Sequence, residues 1–165
     1  MSGLTPSQTI GPFFIEGLKW AIEAPERPLA PGTVRIVGRL TDVNGNGAGD
    51  ALLEIWQPAA QLGEAIPGFQ RAATDDDGRF SFRVPAPGAN QVTADVTILT
   101  RGLQRHVFTR VHIGPEGDPA RAVVPTNVPS ERRTTLIAKR SGSDPYTFEW
   151  NVRLRGTDET VFFDL

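Results

Sequence analysis

Residues 146–155 read "YTFEWNVRLR", and they constrain the fold more than any other stretch. Tyr146, Phe148, Trp150, Val152 and Leu154 alternate with Thr147, Glu149, Asn151, Arg153 and Arg155. Successive side chains of a strand point to opposite faces, so this pattern predicts a strand buried on one side. The period repeats in "RFSFRV", where Phe80, Phe82 and Val84 oppose Arg79, Ser81 and Arg83. Weaker alternation predicts strands over 33–41, 51–57, 94–101, 105–113, 134–140 and 159–163. The separators "NGNGAGD", "TDDDGR" and "APGAN" are turn formers, and 17 glycines with 14 prolines favour turns over long helices. Short strands at this spacing predict an all-β, single-domain β-sandwich with an N-terminal arm and long loops. We divide the 165 residues into an N-terminal arm over 1–32 and a sandwich domain over 33–165. Within the arm, 16–24 is long enough for a helical turn or two.

Several functions are excluded or unsupported. The chain has no cysteine, so disulfides, thiolate metal sites and cysteine nucleophiles are absent. Seventeen basic residues against 19 acidic ones leave a net charge of −2, with no basic patch to suggest nucleic acid. No apolar run reaches the ~20 residues of a membrane span, and "MSGLTPSQTIGPFF" lacks the form of a signal peptide. The expectation is a cytoplasmic protein. There is neither a G-x-S-x-G motif nor a phosphate-cradling loop, because "GNGAG" lacks the lysine and following hydroxyl residue.

The remaining candidates each have a plain structural reading. "DVNGNG" offers Asp42, Asn44, Asn46 and Gly47 at the opening spacing of a calcium loop, but the closing acid would fall on Leu53, with Glu54 one residue late. A hairpin loop is the better reading. Asp75, Asp76 and Asp77 precede Gly78 and a clean strand, as in a turn with a solvated acidic face. His106 and His112 are the only histidines. Six positions apart in a strand they share a face but stand ~20 Å from one another, so they read as independent packing or surface residues. Arg101 follows the strand "DVTIL", and an arginine there is either exposed or a clamp for a carboxylate.

"TPSQTIGPF", "LEIWQP", "GFQRAATDDDGRFSF", "TRG", "RRTTLIAKR" and "ETVFFDL" occur in order along nearly the whole chain. Together they resemble the α-subunit family of the protocatechuate 3,4-dioxygenases, within the intradiol ring-cleavage dioxygenases. The resemblance implies a β-sandwich and an αβ hetero-oligomer that opens 3,4-dihydroxybenzoate (protocatechuate) with dioxygen to 3-carboxy-cis,cis-muconate, in the β-ketoadipate pathway. It implies a non-haem Fe(III) held by two tyrosines and two histidines. This chain has one tyrosine, Tyr146. The resemblance places Ala65 at the first tyrosine position, and Thr93 and Asp95 at the histidine positions. The ferric ion is therefore expected in a homologous β subunit, with no metal ligand or catalytic residue in this chain and no activity in it alone. Carried over by position, Thr9, Gly11, Pro12 and Arg101 would line the substrate pocket, with Arg101 near the substrate carboxylate. Phe13, Phe14 and Trp20 would dock on the partner. Two other readings compete: a non-catalytic sandwich that binds a ligand or serves assembly, which has no reason to keep "TPSQTIGPF", and a self-sufficient metal enzyme using His106, His112 and an acid, which the strand spacing opposes.

Overall fold

A computed structural model of the chain describes residues 14–22, 29–57, 68–142 and 144–164. Two sheets face each other. The first runs β4 (Arg79–Pro85), β1 (Thr33–Thr41), β8 (Thr147–Glu149), β7 (Lys139–Arg140), with β9 (Val152–Arg153) also on β1. The second runs β3 (Phe69–Ala73), β2 (Leu52–Trp56), β5 (Val92–Leu99), β6 (Val107–Ile113), antiparallel throughout. The all-β sandwich expected from the alternation is the observed architecture.

The core fills from both inner faces. Ile36, Phe82, Phe148 and Trp150 of the first sheet meet Leu53, Ile55, Val96, Ile98 and Val111 of the second, all nearly inaccessible to water. Each large side chain so buried stabilises the fold by roughly 1.5–3 kcal/mol. Phe80 stacks on Phe82 and meets the edge of Trp150, with ring centroids 6.1 and 6.0 Å apart. One polar group joins the layers: the buried Gln70 amide donates to Arg83 O at 2.7 Å and accepts from Arg83 N at 3.1 Å.

The 146–155 alternation survives in burial at its centre but not at Tyr146, which is exposed where β8 begins, and not as one strand. Phe148, Trp150 and Val152 are buried, while β8 and β9 are separate short pairings on β1. Between them Asn151 Oδ1, not a backbone carbonyl, accepts from Arg39 N at 2.9 Å. Opposite Trp150 stands Gly38, where a Cβ would lie 1.8 Å from the Trp150 carbonyl oxygen. The close approach admits only glycine.

Two strand expectations fail locally, and one strand has no expectation behind it. The span 134–140 opens with the end of a 3-10 helix, Ser130–Leu136, then Ile137 makes an isolated bridge to His112 and only Lys139–Arg140 pair as a strand. Its β-branched "TTLI" suggests a strand, but side chains take up the chain's carbonyls at short range. Thr135 Oγ1 donates to Arg132 O at 2.8 Å, and Arg133 Nε to Val128 O at 3.0 Å. The span 159–163 forms no ladder, only an isolated bridge from Phe163 to Phe108. Its residue Thr160 is spent on Arg153, exchanging hydrogen bonds of 3.0 Å through N and Oγ1. β3 was not anticipated at all, because "FQRAA" is short and its neighbours are small. The segment expected to hold a helical turn or two forms α1 (Phe14–Leu18) and a 3-10 turn, Lys19–Ala21. No helix among the described residues is long and apolar enough to cross a membrane.

Candidate functional site

The β2–β5 pairing organises the residues of interest. Leu52 stands opposite Leu99 and Trp56 opposite Asp95. Continued two residues past Leu52, the same register sets Asp50 against Arg101. The two form an ion pair through Oδ2 and Nε. Arg101 begins a turn in which Leu103 N donates to Thr100 O at 3.4 Å and Gly102 has φ 85°. The turn puts the guanidinium outside the sheet, and the Arg101 side chain is 66% exposed. Asp50 is better buried, and its Oδ1 accepts from Thr100 Oγ1 at 3.4 Å.

At the other end of the two strands lie the positions where the resemblance puts the metal ligands. On the outer face of the second sheet Phe69, Trp56, Asp95 and Arg110 form one row across four strands, and Arg71, Glu54, Thr97 and Phe108 the next. Asp95 is bound by Arg110, Nε on Oδ1 and Nη2 on Oδ2 at 3.5 Å. The Arg110 guanidinium also lies 5.8 Å from the Phe108 ring centroid and 5.9 Å from that of Phe163. Thr93 stands opposite His112, and Thr93 Oγ1 is 2.9 Å from His112 Nδ1. The Gln91 amide is oriented by Val123, whose N–H donates to Gln91 Oε1 at 2.7 Å. Its Nε2 therefore faces His112 Nδ1 as a donor, 3.3 Å away. Nδ1 is thus the accepting nitrogen and the proton sits on Nε2, which is buried without a hydrogen-bond partner. Burial first, and the charge of Arg110 second, push the His112 imidazolium down to about pKa 4.

These residues do not fit a ferric ion. Asp95 is already neutralised by a paired arginine, Thr93 has no imidazole to offer, and Tyr146 is 61% exposed beside the first sheet. No group of three or more histidines and acids among the described residues is placed to hold a metal. His106 is exposed ahead of β6 and His112 is buried within it, so the two act independently. The other acids serve turns. Asp42 Oδ1 accepts from the N–H groups of Asn44 and Asn46 at 2.8 Å each. Asp75 Oδ1 accepts from Asp77 N at 3.0 Å and Arg79 N at 2.8 Å. Asp76 and Asp77 face solvent, as a solvated turn requires.

Thr9, Gly11, Pro12, Phe13 and Ala65 lie outside the described residues, so of the four pocket residues expected from sequence the structure places Arg101. Trp20 is 83% exposed. A cleft of about 1060 Å³ opens over β1, β4, β8 and β9, lined by Ile22, Arg39, Arg79, Glu149, Asn151 and Arg153 among others, and Arg101 is not in its wall. Asp50 and Arg110 escaped the sequence reading. Their signal was there, because each is an unlike charge lying opposite Arg101 or Asp95 once the strand register is written out.

No family model matches the chain. It is 36% identical to the protocatechuate 3,4-dioxygenase alpha chain of Burkholderia cepacia, over 98% of this chain and 97% of that one. It is 32% identical to the alpha chain of the same name from Pseudomonas putida, over 97% and 96%. Among solved structures, 3-chlorocatechol 1,2-dioxygenase from Rhodococcus opacus 1CP superposes with a TM-score of 0.52 at 21% identity, covering 90% of this chain and 71% of that one. That likeness concerns the fold. The two alpha chains match over nearly the whole length of both, and on that ground the chain belongs to the protocatechuate 3,4-dioxygenase alpha-chain family.

Proposed function

We propose that this chain is the non-iron-binding α subunit of an intradiol dioxygenase acting on protocatechuate. The reaction breaks the carbon–carbon bond between the two hydroxyl-bearing carbons. Both atoms of dioxygen enter the product, 3-carboxy-cis,cis-muconate. The observation that carries the reading is the Asp95–Arg110 pair: the strand scaffold of the family is kept, while a ligand position holds an acid already bound to an arginine. A homologous β subunit supplies the non-haem ferric ion, which activates the bound catecholate toward dioxygen.

The work of this chain is to shape and charge the pocket. Thr9, Gly11 and Pro12 of the arm line it. Gly11 lets the backbone come close to the ring, and Pro12 stiffens the segment. Arg101 offers a guanidinium to the substrate carboxylate. A planar fork matches a carboxylate by two parallel hydrogen bonds, which favours protocatechuate over a catechol without the acid group.

The chain should be expressed alone and with its β partner, then assayed for iron and ring cleavage. We expect no stoichiometric iron and no cleavage from the chain alone, and both in the assembly. One tightly held iron in the isolated chain, with tyrosinate colour, would remove the proposal.

A further inference from the structure

We propose that Asp50 is a positioning residue for Arg101 and thereby sets the preference for a carboxylated catechol. The inference rests on the assignment of Arg101 to the substrate carboxylate. Asp50 is rigid where Arg101 is not. The backbone on both sides of it is clamped by the buried Thr74. Ala51 N donates to Thr74 Oγ1 at 2.9 Å, Thr74 Oγ1 donates to Ala48 O at 2.6 Å, and Thr74 N donates to Ala51 O at 2.9 Å. Ala51 itself is fully buried. The preceding turn lies against its neighbour so closely that a Cβ on Gly49 would stand 2.9 Å from Asp76 Cα.

The carboxylate is therefore a fixed anchor on an exposed, many-jointed side chain. It takes Arg101 by Nε. Among the described residues the two terminal nitrogens have no partner, and these are the pair that a planar carboxylate accepts side by side. Asp50 Oδ2 is buried and makes no aligned hydrogen bond, so its ion pair with Arg101 is what compensates its charge.

Two effects oppose each other when Asp50 is removed. Releasing the rotamers of an arginine weakens a two-point contact by up to about thirtyfold. Deleting a negative charge that Arg101 partly neutralises near an anionic substrate returns about threefold. Positioning wins, and the net expectation is roughly a tenfold loss.

The experiment uses the assembled αβ enzyme and compares kcat/KM for protocatechuate with that for catechol. Asp50→Asn, which keeps the shape of the side chain, should lower the ratio about tenfold through KM, with assembly and catechol turnover unchanged. Asp50→Glu should restore part of it. Arg101→Ala should lower the ratio further, and adding Asp50→Asn to it should not lower it again but return only the roughly threefold gain from removing a negative charge, since the positioning effect needs both residues. If Arg101→Ala lowers the ratio but Asp50→Asn does not, or lowers it equally with and without Arg101, the positioning role is wrong and the Arg101 assignment stands. If Arg101→Ala leaves the ratio unchanged in an assembled, active enzyme, both fall.

Discussion

Two aspartate–arginine pairs stand at opposite ends of β2 and β5, and their fates differ. At one end Arg110 gives Asp95 two nitrogens, Nε and Nη2, and lies over Phe108 and Phe163, with its side chain 36% exposed. At the other end Arg101 touches Asp50 by Nε, has no aromatic ring over it among the described contacts, and is 66% exposed. The same two residue types thus yield a closed plug and an open cation. What separates them is neighbouring structure: β6 and the C-terminal Phe163 cover the first pair, whereas the second projects beyond the ladder into a turn. Arg110 commits Nε and Nη2 to one carboxylate under aromatic cover, whereas Arg101 commits Nε alone and keeps both terminal nitrogens for a ligand.

The contrast can be broken by perturbing each end separately. The largest effect belongs to pH at the closed end. His112 is held neutral by burial and by Arg110, with its pKa brought from 6.5 to about 4. The unfolded chain takes up a proton below pH 6.5 and the folded chain does not until about pH 4, so stability is full above that window and falls as pH drops through it. The loss should be on the order of 3 kcal/mol across the window. Urea midpoints at steps between pH 7 and 4 should show it, His112→Gln should flatten the difference, and Arg110→Met should shrink it. Arg101→Ala should leave the profile untouched, and a change there would show that the two ends are coupled.

Deleting the acids is the next test. Asp95→Ala leaves a half-buried guanidinium without its bidentate partner and should cost about 1–2 kcal/mol, while the protocatechuate-to-catechol ratio stays constant. Asp50→Ala should cost under about 0.5 kcal/mol, because it removes the buried acid together with its charge and leaves a guanidinium that is mostly exposed to water. Equal losses in denaturant melts would mean that cover does not distinguish the pairs.

The smallest effect isolates the aromatic cover. Phe163→Leu keeps apolar bulk but removes a ring facing Arg110 and the edge contact with Phe108, whose centroid is 6.2 Å away. A loss of roughly 0.5–1 kcal/mol in thermal or urea unfolding is expected. No loss would leave the Asp95 contact as the sole restraint on Arg110.

The strand period determined much without help. Phe80, Phe82, Val84, Phe148, Trp150 and Val152 are buried as their alternation requires, because a strand cannot present neighbouring residues to the same face. Turn chemistry was equally local: Asp42 and Asp75 bond to backbone groups two and four residues ahead. The single tyrosine and the absence of cysteine limited the metal chemistry by arithmetic. Tertiary structure decided the rest. The 3-10 helix at 130–136 took a β-branched run because bonds to nearby carbonyls, and the burial of Leu136 beside Val124, Val128 and Val161, outweighed local strand propensity. The partners of Arg101 and Arg110 lie 51 and 15 residues away along the chain, and no window of sequence contains the first pair. Which arginine is plugged and which stays open depends on strand register and on what crosses above each pair. Register is a long-range property, set when two sheets bury their apolar faces against one another and a one-residue slip would turn every core side chain outward.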